Sequence, residues 1–596
     1  MRVSTPLNFS RQALDKRWLL LGAVGYAVLF VGYSWPLAQE FRTAFVGYGQ
    51  GDANQYVWNA YNFRQQVAAG GNPFHTSLLL FPEGTGLWLH TYTPVLGVLN
   101  VLLNQPLLAV NTGLLLSFML SGVGAARLAG RWLKSPLLCL LTGFIFAFSP
   151  YKLAHWPEHY HLLLTATAPF YVSAFLNAFV FTPGRWLPGL RHRVSRWWCV
   201  GLLLLTFFSD YYTLAGLLYF SAGYAAWFGL ALGAVNWHRR RPWLVLVAVG
   251  VGAHIASRLL TLAGVPDNAG FWWGGDLAGY LLPPAGSRWL ASAATNAVWQ
   301  STRFNMPGSV ENVVFLGYAV PVVALVLAVL RRRSGPLAGP AVPDEARPLW
   351  ALALLFFLLT LPVVKLLGHT IVRPLTGLVH FVPFFNNIRC PTRYVLLLTL
   401  LLPLATFVGL ERHWQVRPSR WHLPLAAGLA LLVGLEFQPL PYPLIRQSSV
   451  PVVYKISADL PGRALYPIPL GLLDGYRQTG QFNPAELFYQ TYHHKPLPGC
   501  YISRVPAATF AAFAAFDPVQ RALLVSQQHP DSLGIAVPNA AQTRAFLRRY
   551  QPAAFVISPP FRTAPVHLLL RRILRPVGYR ERVIDGYTLL QPSALP

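Results

Sequence analysis

The chain has 596 residues, of which 54% are hydrophobic and only 11% are charged. Soluble proteins carry about 25% charged residues, and apolar runs of about 20 residues recur here, so the composition excludes an ordinary soluble protein and predicts a polytopic membrane protein. The net charge of +27 does not indicate nucleic-acid binding, because the basic residues lie in short clusters between apolar spans. The four cysteines show no CxxC spacing, which argues against a metal or redox framework.

The apolar runs predict about 11 transmembrane helices. Basic residues before the first run place the N-terminus inside, and the basic clusters that follow mark the inner connections. This orientation predicts a multi-pass protein of the cytoplasmic (inner) membrane whose C-terminal part lies outside. The predicted spans are 18–38, 106–128, 137–148, 162–181, 197–208, 211–235, 243–262, 313–330, 349–364, 394–410 and 421–435.

The first outer loop, 39–90, is the longest polar interruption of the first 260 residues. A helix is predicted after Asp52, ended by Gly70-Gly71. A carboxylate at the mouth of a membrane cavity is a candidate base or metal ligand, so Asp52 is a candidate catalytic residue. The alternative is that Asp52 only caps the helix. Asn54 and Gln55 follow on the same helix and are candidate substrate-binding residues.

The second outer loop contains His-Trp-Pro-Glu-His-Tyr-His at 155–161. Pro157 fits the first position of a helix, which would put Glu158 in the first turn and on one face with His161. His155, Glu158, His159 and His161 are potential metal or substrate ligands, although the spacing is not H-E-x-x-H. The alternative is an interfacial cap, because Trp, Tyr and His favour the membrane boundary.

Three further charged residues are predicted near the outer face. The span 197–208 is only about 18 Å long at helical rise, so Asp210 would lie below the outer surface and face a water-filled cavity or a partner. Arg389 and Arg393 are candidate phosphate ligands, because arginine binds phosphate bidentately. The alternative for both is that they snorkel at the start of a span and anchor it, and for Arg389 the phosphate role is favoured.

The pattern changes after residue 437. Apolar runs shorten to strand length at 464–469, 553–558 and 587–591, and a helix pattern covers 540–550. We therefore expect two domains, a transmembrane domain over 1–437 that includes the loop 39–90, and an extracytoplasmic α/β domain over 438–596.

The acidic residue of the first outer loop in Gly51-Asp52, the second acidic residue in Glu158-His159 and the outer C-terminal domain together resemble the GT-C superfamily of integral membrane glycosyltransferases. Its members include protein O-mannosyltransferases, aminoarabinose transferases and oligosaccharyltransferases. The second loop departs from the Asp-x-Asp or Glu-x-Asp motif of that superfamily, because Glu158-His159-Tyr160-His161 stands there.

The resemblance implies a GT-C-like α-helical membrane domain and inverting transfer of a hexosyl or pentosyl group. The donor would be a polyprenyl-phosphate-linked sugar, and the acceptor a lipid, glycan or protein. Asp52 would be the general base or a metal ligand, and Glu158 and His159 would orient the acceptor or the metal. Asp52 and Glu158 would hold the divalent cation, Mg or Mn. Arg389 and Arg393 would stabilise the leaving phosphate.

Two other functions remain open from the sequence. A lipid or polysaccharide transporter or flippase would place Asp210 and Arg389 in the membrane too, but it predicts inverted repeats, and none stands out. A non-catalytic envelope assembly protein would bind a partner through its outer domain. In that protein Asp52 and Glu158 could be replaced without effect.

Overall fold

In the computed structural model of the chain, the described residues are 14–182, 188–231, 243–244, 247–248, 251–252, 254–255, 259, 271–304, 307–334, 343–381, 388–515, 517–528 and 536–593. The chain forms two compact units. The first unit comprises Met1–Trp35, Leu114–Trp156 and Leu162–Tyr442, and the second comprises Pro36–Gly113, Pro157–His161 and Pro443–Pro596. The whole of the loop 39–90, which the sequence assigns to the transmembrane domain, therefore belongs to the same unit as the C-terminal region.

Most described residues are helical. The α-helices in chain order are α1 (Lys16–Tyr33), α2 (Ala53–Ala68), α3 (Pro94–Leu103), α4 (Pro106–Ala129), α5 (Pro136–Ala147), α6 (Pro150–His155), α7 (Thr167–Ala178), α8 (Arg193–Phe207), α9 (Tyr211–Ala226), α10 (Leu277–Leu281), α11 (Ala293–Trp299), α12 (Ala319–Ser334), α13 (Leu349–Thr360), α14 (Val395–Val416), α15 (His422–Glu436), α16 (Val452–Ser457), α17 (Ala485–His493), α18 (Ala507–Ala515), α19 (Pro518–Gln528), α20 (Ala540–Tyr550) and α21 (Pro565–Leu574).

The strands are short. They are β1 (Ala44–Val46), β2 (His75–Thr76), β3 (Thr85–Gly86), β4 (Phe179–Val180), β5 (Gly189–Leu190), β6 (Val364–Leu366), β7 (His369–Val372), β8 (Leu444–Arg446), β9 (Ala464–Ile468), β10 (Gly471–Leu473), β11 (Gln478–Gly480), β12 (Cys500–Tyr501), β13 (Pro552–Ile557), β14 (Tyr579–Ile584) and β15 (Tyr587–Pro592).

Within the described part of the chain, four helices are long and apolar enough to cross a membrane. They cover Pro106–Ala129, Pro136–His155, Tyr211–Leu230 and Pro391–Val416. At about 1.5 Å per residue, the 24 residues of the first reach beyond a ~30 Å hydrocarbon core. The apolar helices support a membrane protein, while the total of about 11 crossings stays a prediction. The predicted span 243–262 lies largely outside the described residues.

Proline and serine residues define the starts of α5 and α6, the two helices that precede the loop 155–161. Pro136 and Pro150 open α5 and α6 at the first turn, where the missing N–H breaks no helical hydrogen bond. The Ser135 hydroxyl accepts from Leu138 N, and the Ser149 hydroxyl accepts from Lys152 N. Both caps are the preferred residue type for that position.

The core of the second unit contains a four-stranded sheet in the order β14-β15-β13-β9. Strand β13 is buried along its whole length, pairs parallel with β9 and pairs antiparallel with β15. These three strands confirm the runs predicted at 464–469, 553–558 and 587–591, and α20 confirms the helix predicted over 540–550. The C-terminal region is therefore a mixed α/β structure.

Helix α2 is the element that carries the first candidate residues. It confirms the helix predicted after Asp52 and ends before Gly70, whose φ of +65° is a left-handed conformation suited to glycine. The indole N–H of Trp58 donates to Gln490 Oε1 on α17 at 2.5 Å. Because this bond is buried, it fixes α2 against the C-terminal part of the same unit.

Candidate active site

Asp52 occupies the position just before α2, but its side chain does not cap that helix. The capping alternative from the sequence is therefore wrong. Asp52 Oδ2 lies 3.6 Å from His159 Nε2, and 28% of the Asp52 side chain is exposed. The carboxylate thus faces a histidine of the second outer loop and remains accessible to solvent.

The second outer loop is a turn where a helix was predicted. Helix α6 ends at His155, residues 156–158 form a turn, and a short 3₁₀ segment covers Tyr160–Leu163. Glu158 and His161 consequently do not share the face of a helix that starts at Pro157. The reason is that proline has no N–H with which to continue α6, and its fixed φ near −65° suits the second position of a turn as well as the first position of a helix.

The turn delivers the Glu158 carboxylate to the start of α2. The Asp52 backbone N–H donates to Glu158 Oε2 at 2.6 Å. A Cβ atom on Gly51 would lie 2.3 Å from Glu158 Oε1, which is closer than non-bonded atoms approach. Only glycine at position 51 leaves room for the carboxylate. Gly51 provides the space and the Asp52 N–H provides the hydrogen bond that together hold the Glu158 side chain.

The electrostatics of Glu158 follow from this position. Burial raises the pKa of the Glu158 carboxyl to about 7, the nearby Asp52 charge adds to the rise, and the hydrogen bond from Asp52 N–H opposes it. Two carboxyl groups in different environments are thereby held next to each other. Such an arrangement is typical of sites where one group handles a proton and the other stabilises charge.

Asn54, Gln55 and His161 support this cluster from within the same unit. The Asn54 amide donates to Gly51 O at 2.8 Å and to Gly49 O at 3.2 Å, which closes the turn before α2. Gln55 Oε1 accepts from the Thr91 hydroxyl at 3.0 Å. His161 Nδ1 lies 2.5 Å from the Tyr56 hydroxyl, and the two rings stack.

The described residues of the first unit bring a second group of predicted residues together, on Glu311. The Arg393 guanidinium donates to both Glu311 oxygens, at 3.1 and 2.5 Å, and His155 Nε2 lies 3.6 Å from Glu311 Oε2. Burial would raise the pKa of Glu311, but Arg393 and His155 hold that pKa well below its usual range. Arg393 is buried at the start of the apolar helical segment Pro391–Val416, so it does not snorkel to the surface, whereas its role in anchoring that span stays open. Sequence reasoning missed Glu311, which no local motif marks.

Asp210 has a structural partner rather than a cavity. It is buried at the start of α9 and accepts from Thr213 N at 2.6 Å, which is an N-cap. Two residues further on, the centre of the Tyr212 ring lies 4.7 Å from the Arg393 guanidinium carbon. The Tyr212 hydroxyl accepts a hydrogen bond from Cys390 N at 3.2 Å. Asp210 therefore holds the helix end whose tyrosine supports Arg393.

Arg389 is half-buried beside Trp273. Its guanidinium lies 5.3 Å from the centre of the Trp273 ring, and Trp273 N–H donates to Arg389 O at 2.9 Å. This contact explains the Phe-Trp-Trp-Gly-Gly-Asp sequence at 271–276 in part, because the ring stabilises the cation. Asp276, at the end of the same sequence, accepts from Ala278 N and from Gly368 N.

The residues at Asp52 fit a divalent cation by donor type. Carboxylate oxygens suit Mg and Mn, and imidazole nitrogen is a common ligand of transition metals. Asp52, Glu158 and His159 supply these donors from one turn and one helix start. The ligand atoms of these three residues do not form a group within 4.8 Å of one another among the described residues, so a metal at Asp52 and Glu158, which would supply positive charge to an attacking or leaving oxygen, stays a prediction.

Comparisons with known proteins give structural likenesses only. No family model matches the chain, and no curated protein matches it. The arabinofuranosyltransferase AftD from Mycobacteria matches 98% of this chain with a TM-score of 0.48 and 16% identity, and the chain spans 42% of AftD.

Two further solved structures match over most of the chain. One is AglB, an archaeal oligosaccharyltransferase from Archaeoglobus fulgidus, in complex with an inhibitory peptide and a dolichol-phosphate. It matches with a TM-score of 0.41 and 11% identity, and the match covers 98% of this chain and 75% of AglB. ArnT from Cupriavidus metallidurans, bound to undecaprenyl phosphate, has a TM-score of 0.36 and 14% identity over 97% and 98%. All three neighbours are GT-C glycosyltransferases, the superfamily that the sequence resembles.

Proposed function

We propose that the protein is a membrane glycosyltransferase that moves a hexosyl or pentosyl group from a polyprenyl-phosphate carrier to a lipid, glycan or protein acceptor. The observation that carries the proposal is the Asp52 carboxylate, placed at a helix start without capping it and faced by Glu158 and His159. A purely structural aspartate at this position would accept the N–H groups of α2. The sequence resemblance to GT-C enzymes supports the same assignment.

Asp52 is the proposed general base. It takes the proton of the acceptor hydroxyl while the hydroxyl oxygen attacks the anomeric carbon. The bond from that carbon to the carrier phosphate breaks, the phosphate oxygen keeps the electron pair, and attack from the opposite face inverts the configuration. His159, at 3.6 Å from Asp52 Oδ2, is placed to orient the carboxylate and to share the proton.

Glu158 has a positioning role in this proposal. Its carboxylate receives the Asp52 N–H and thereby fixes the backbone that carries the base. With a cation bound, Asp52 and Glu158 would hold it, and the cation would stabilise negative charge on an oxygen at the reacting centre. Asn54 and Gln55 keep the start of α2 in place through the turn and through Thr91.

Arg389 is the proposed ligand of the carrier phosphate. Arginine fits a phosphate with two parallel hydrogen bonds, and a ring behind the guanidinium holds its plane. Trp273 provides that ring. Arg393 instead forms an ion pair with Glu311, and we assign it to positioning the 388–394 segment on which Arg389 lies. The site is proposed to open on the outer side of the cytoplasmic membrane, with the C-terminal α/β region on that side.

Transfer by the purified protein tests the proposal. Full-length protein in proteoliposomes is incubated with a panel of polyprenyl-phosphate sugars and lipid, glycan and peptide acceptors, and products are detected by mass spectrometry. We expect transfer from one donor, lost in Asp52→Asn. Glu40→Gln is the matched control, because Glu40 is a carboxylate of the same unit that pairs with Arg446 at its surface. Full transfer by Asp52→Asn would reject the assignment.

A further inference from the structure

The second unit contains a cavity of about 330 Å³ whose lining does not include Asp52. Its walls come from the loop after β2 and from helices α18 and α19. Leu80, Phe81 and Phe513 supply apolar wall, while Thr509, Gln520 and Glu83 supply the polar groups. A volume of this size falls in the range of small-molecule sites, which are mostly apolar with a few placed polar groups.

Gln520 is the most informative of these groups. Only 3% of the residue is exposed, and its side chain lines the cavity. Its carboxamide makes no hydrogen bond to any other described residue. Its polar atoms are not sealed in the core but are open to the cavity, where water or a ligand can pair with them. The carboxamide therefore points to a ligand that donates to it and accepts from it.

The mouth of the cavity has little net charge. Glu83 lies there with its Oε1 3.3 Å from an Arg549 guanidinium nitrogen. The Arg463 guanidinium lies 5.2 Å from the centre of the Phe81 ring. Neither arginine lines the cavity, and Glu83, the one charged residue of the lining, is paired with Arg549, so the lining itself favours neither a cation nor an anion. Its preference is for a neutral ligand with hydroxyl or amide groups.

We propose that this cavity binds one neutral sugar residue of a glycan. A sugar ring presents C–H groups on its faces, which suit Phe81 and Phe513, and hydroxyl groups at its edge, which suit Gln520, Thr509 and Glu83. An acyl chain would leave the Gln520 carboxamide unpaired. That the bound sugar belongs to the acceptor rests on the proposed transferase function, whereas the binding itself does not.

Saturation-transfer NMR on the full-length protein in detergent tests the proposal. The probes are the methyl glycosides of glucose, galactose, mannose and arabinofuranose. We expect saturation of at least one of them. Gln520→Leu and Ala512→Trp, which fills the mouth from α18, should each weaken binding at least tenfold. Ala511→Trp is the control, because Ala511 is exposed on the same helix and does not line the cavity.

The outcomes separate this proposal from the transferase assignment. Asp52→Asn should bind the sugar as the wild type does while losing transfer. Absence of saturation by every probe in the wild type would overturn the cavity proposal whatever the transfer assay shows. So would binding that Gln520→Leu leaves unchanged or strengthens, since the latter is the behaviour of an apolar occupant. Thermal unfolding of each variant confirms that it is folded.

Discussion

Each of the two units brings together ionisable side chains from distant parts of the chain. The exposure and the pairing of these side chains differ between the units. In the second unit, the side chains of Asp52 and His159 are 28% and 17% exposed and lie 3.6 Å apart. In the first unit, the side chains of Arg393 and Glu311 are 6% and 7% exposed and are joined by two hydrogen bonds. Accessible, loosely joined groups are suited to chemistry, whereas sealed and paired groups are suited to holding a structure.

Breaking the sealed pair should have the largest effect on stability. Arg393→Met removes the guanidinium from the buried Glu311 carboxylate and leaves beside it the imidazole of His155, whose Nε2 lies 3.6 Å away, so we expect the free energy of unfolding to fall by about 3–5 kcal/mol. The double variant Arg393→Met/Glu311→Gln should recover most of that loss. Denaturant unfolding in detergent micelles measures both.

The control for this pair is Arg446→Met, because Arg446 forms an exposed ion pair with Glu40. Its free energy of unfolding should stay near the wild-type value, as for most surface pairs. If Arg393→Met unfolds like the wild type and loses only transfer, Arg393 is a phosphate ligand and not a structural residue.

Gly51→Ala should displace Glu158 and so separate it from Asp52 and His159 without removing a charge. In Gly51→Ala the new Cβ collides with the Glu158 carboxylate, so Asp52 and Glu158 move apart. A displacement of about 1 Å can lower a rate about 100-fold, and we expect a fall of that size in the transfer rate. In Gly49→Ala the Cβ meets no atom within 4 Å, so its rate should be unchanged. Equal rates in the two variants would contradict the role of Glu158.

Removing Arg389 should weaken donor binding. A charge-assisted hydrogen bond contributes about 1.5–3 kcal/mol, so Arg389→Ala should raise the KM for the polyprenyl-phosphate sugar about tenfold or more. The kcat should change little. Initial rates over a range of donor concentrations give both constants. Arg303→Ala, an exposed arginine elsewhere in the first unit, is the control. An unchanged KM in Arg389→Ala would remove Arg389 from the phosphate site.

The pH dependence of stability and of the transfer rate should follow the titration of the Glu158 carboxyl. Its raised pKa of about 7 means that the folded protein keeps a proton which the unfolded chain loses near pH 4.5. The preference of the folded state for this proton therefore stabilises the protein at low pH, and this contribution to the free energy of unfolding is lost as the pH rises through 7. The ionised form, which accepts the Asp52 N–H more strongly, is the active one here.

The transfer rate should consequently rise about tenfold between pH 6 and 8, as the ionised fraction of a group with a pKa of about 7 grows. In Glu158→Gln this inflection should disappear. A wild-type profile that is flat over this range, or an inflection that survives in Glu158→Gln, would exclude Glu158 as the titrating group.

Local patterns were sufficient for much of the fold. Helix α20 and the strands β9, β13 and β15 lie where the sequence predicts them, because their period and their turn residues are local signals. The helix predicted at Pro157 was wrong for a local reason as well. Its proline follows a helix that has just ended, and proline at that position suits a turn as readily as a new helix.

The partners of the site residues were beyond local reasoning. Glu158 was a candidate from its loop, but its bond to the N–H of Asp52 joins positions 106 residues apart. Glu311 and Arg393 are 82 residues apart, and nothing near Glu311 in the sequence marks it as the centre of a buried ion pair. Periodicity carries no information on such pairings, because packing of the whole unit decides them.

The most direct test of the central claim is the rate of sugar transfer at saturating donor. The claim is that the Asp52 cluster performs the chemistry. The account predicts that Asp52→Asn remains at least 100-fold slower than the wild type under these conditions, while Arg389→Ala approaches the wild-type rate. A wild-type rate in Asp52→Asn at saturating donor would contradict the account.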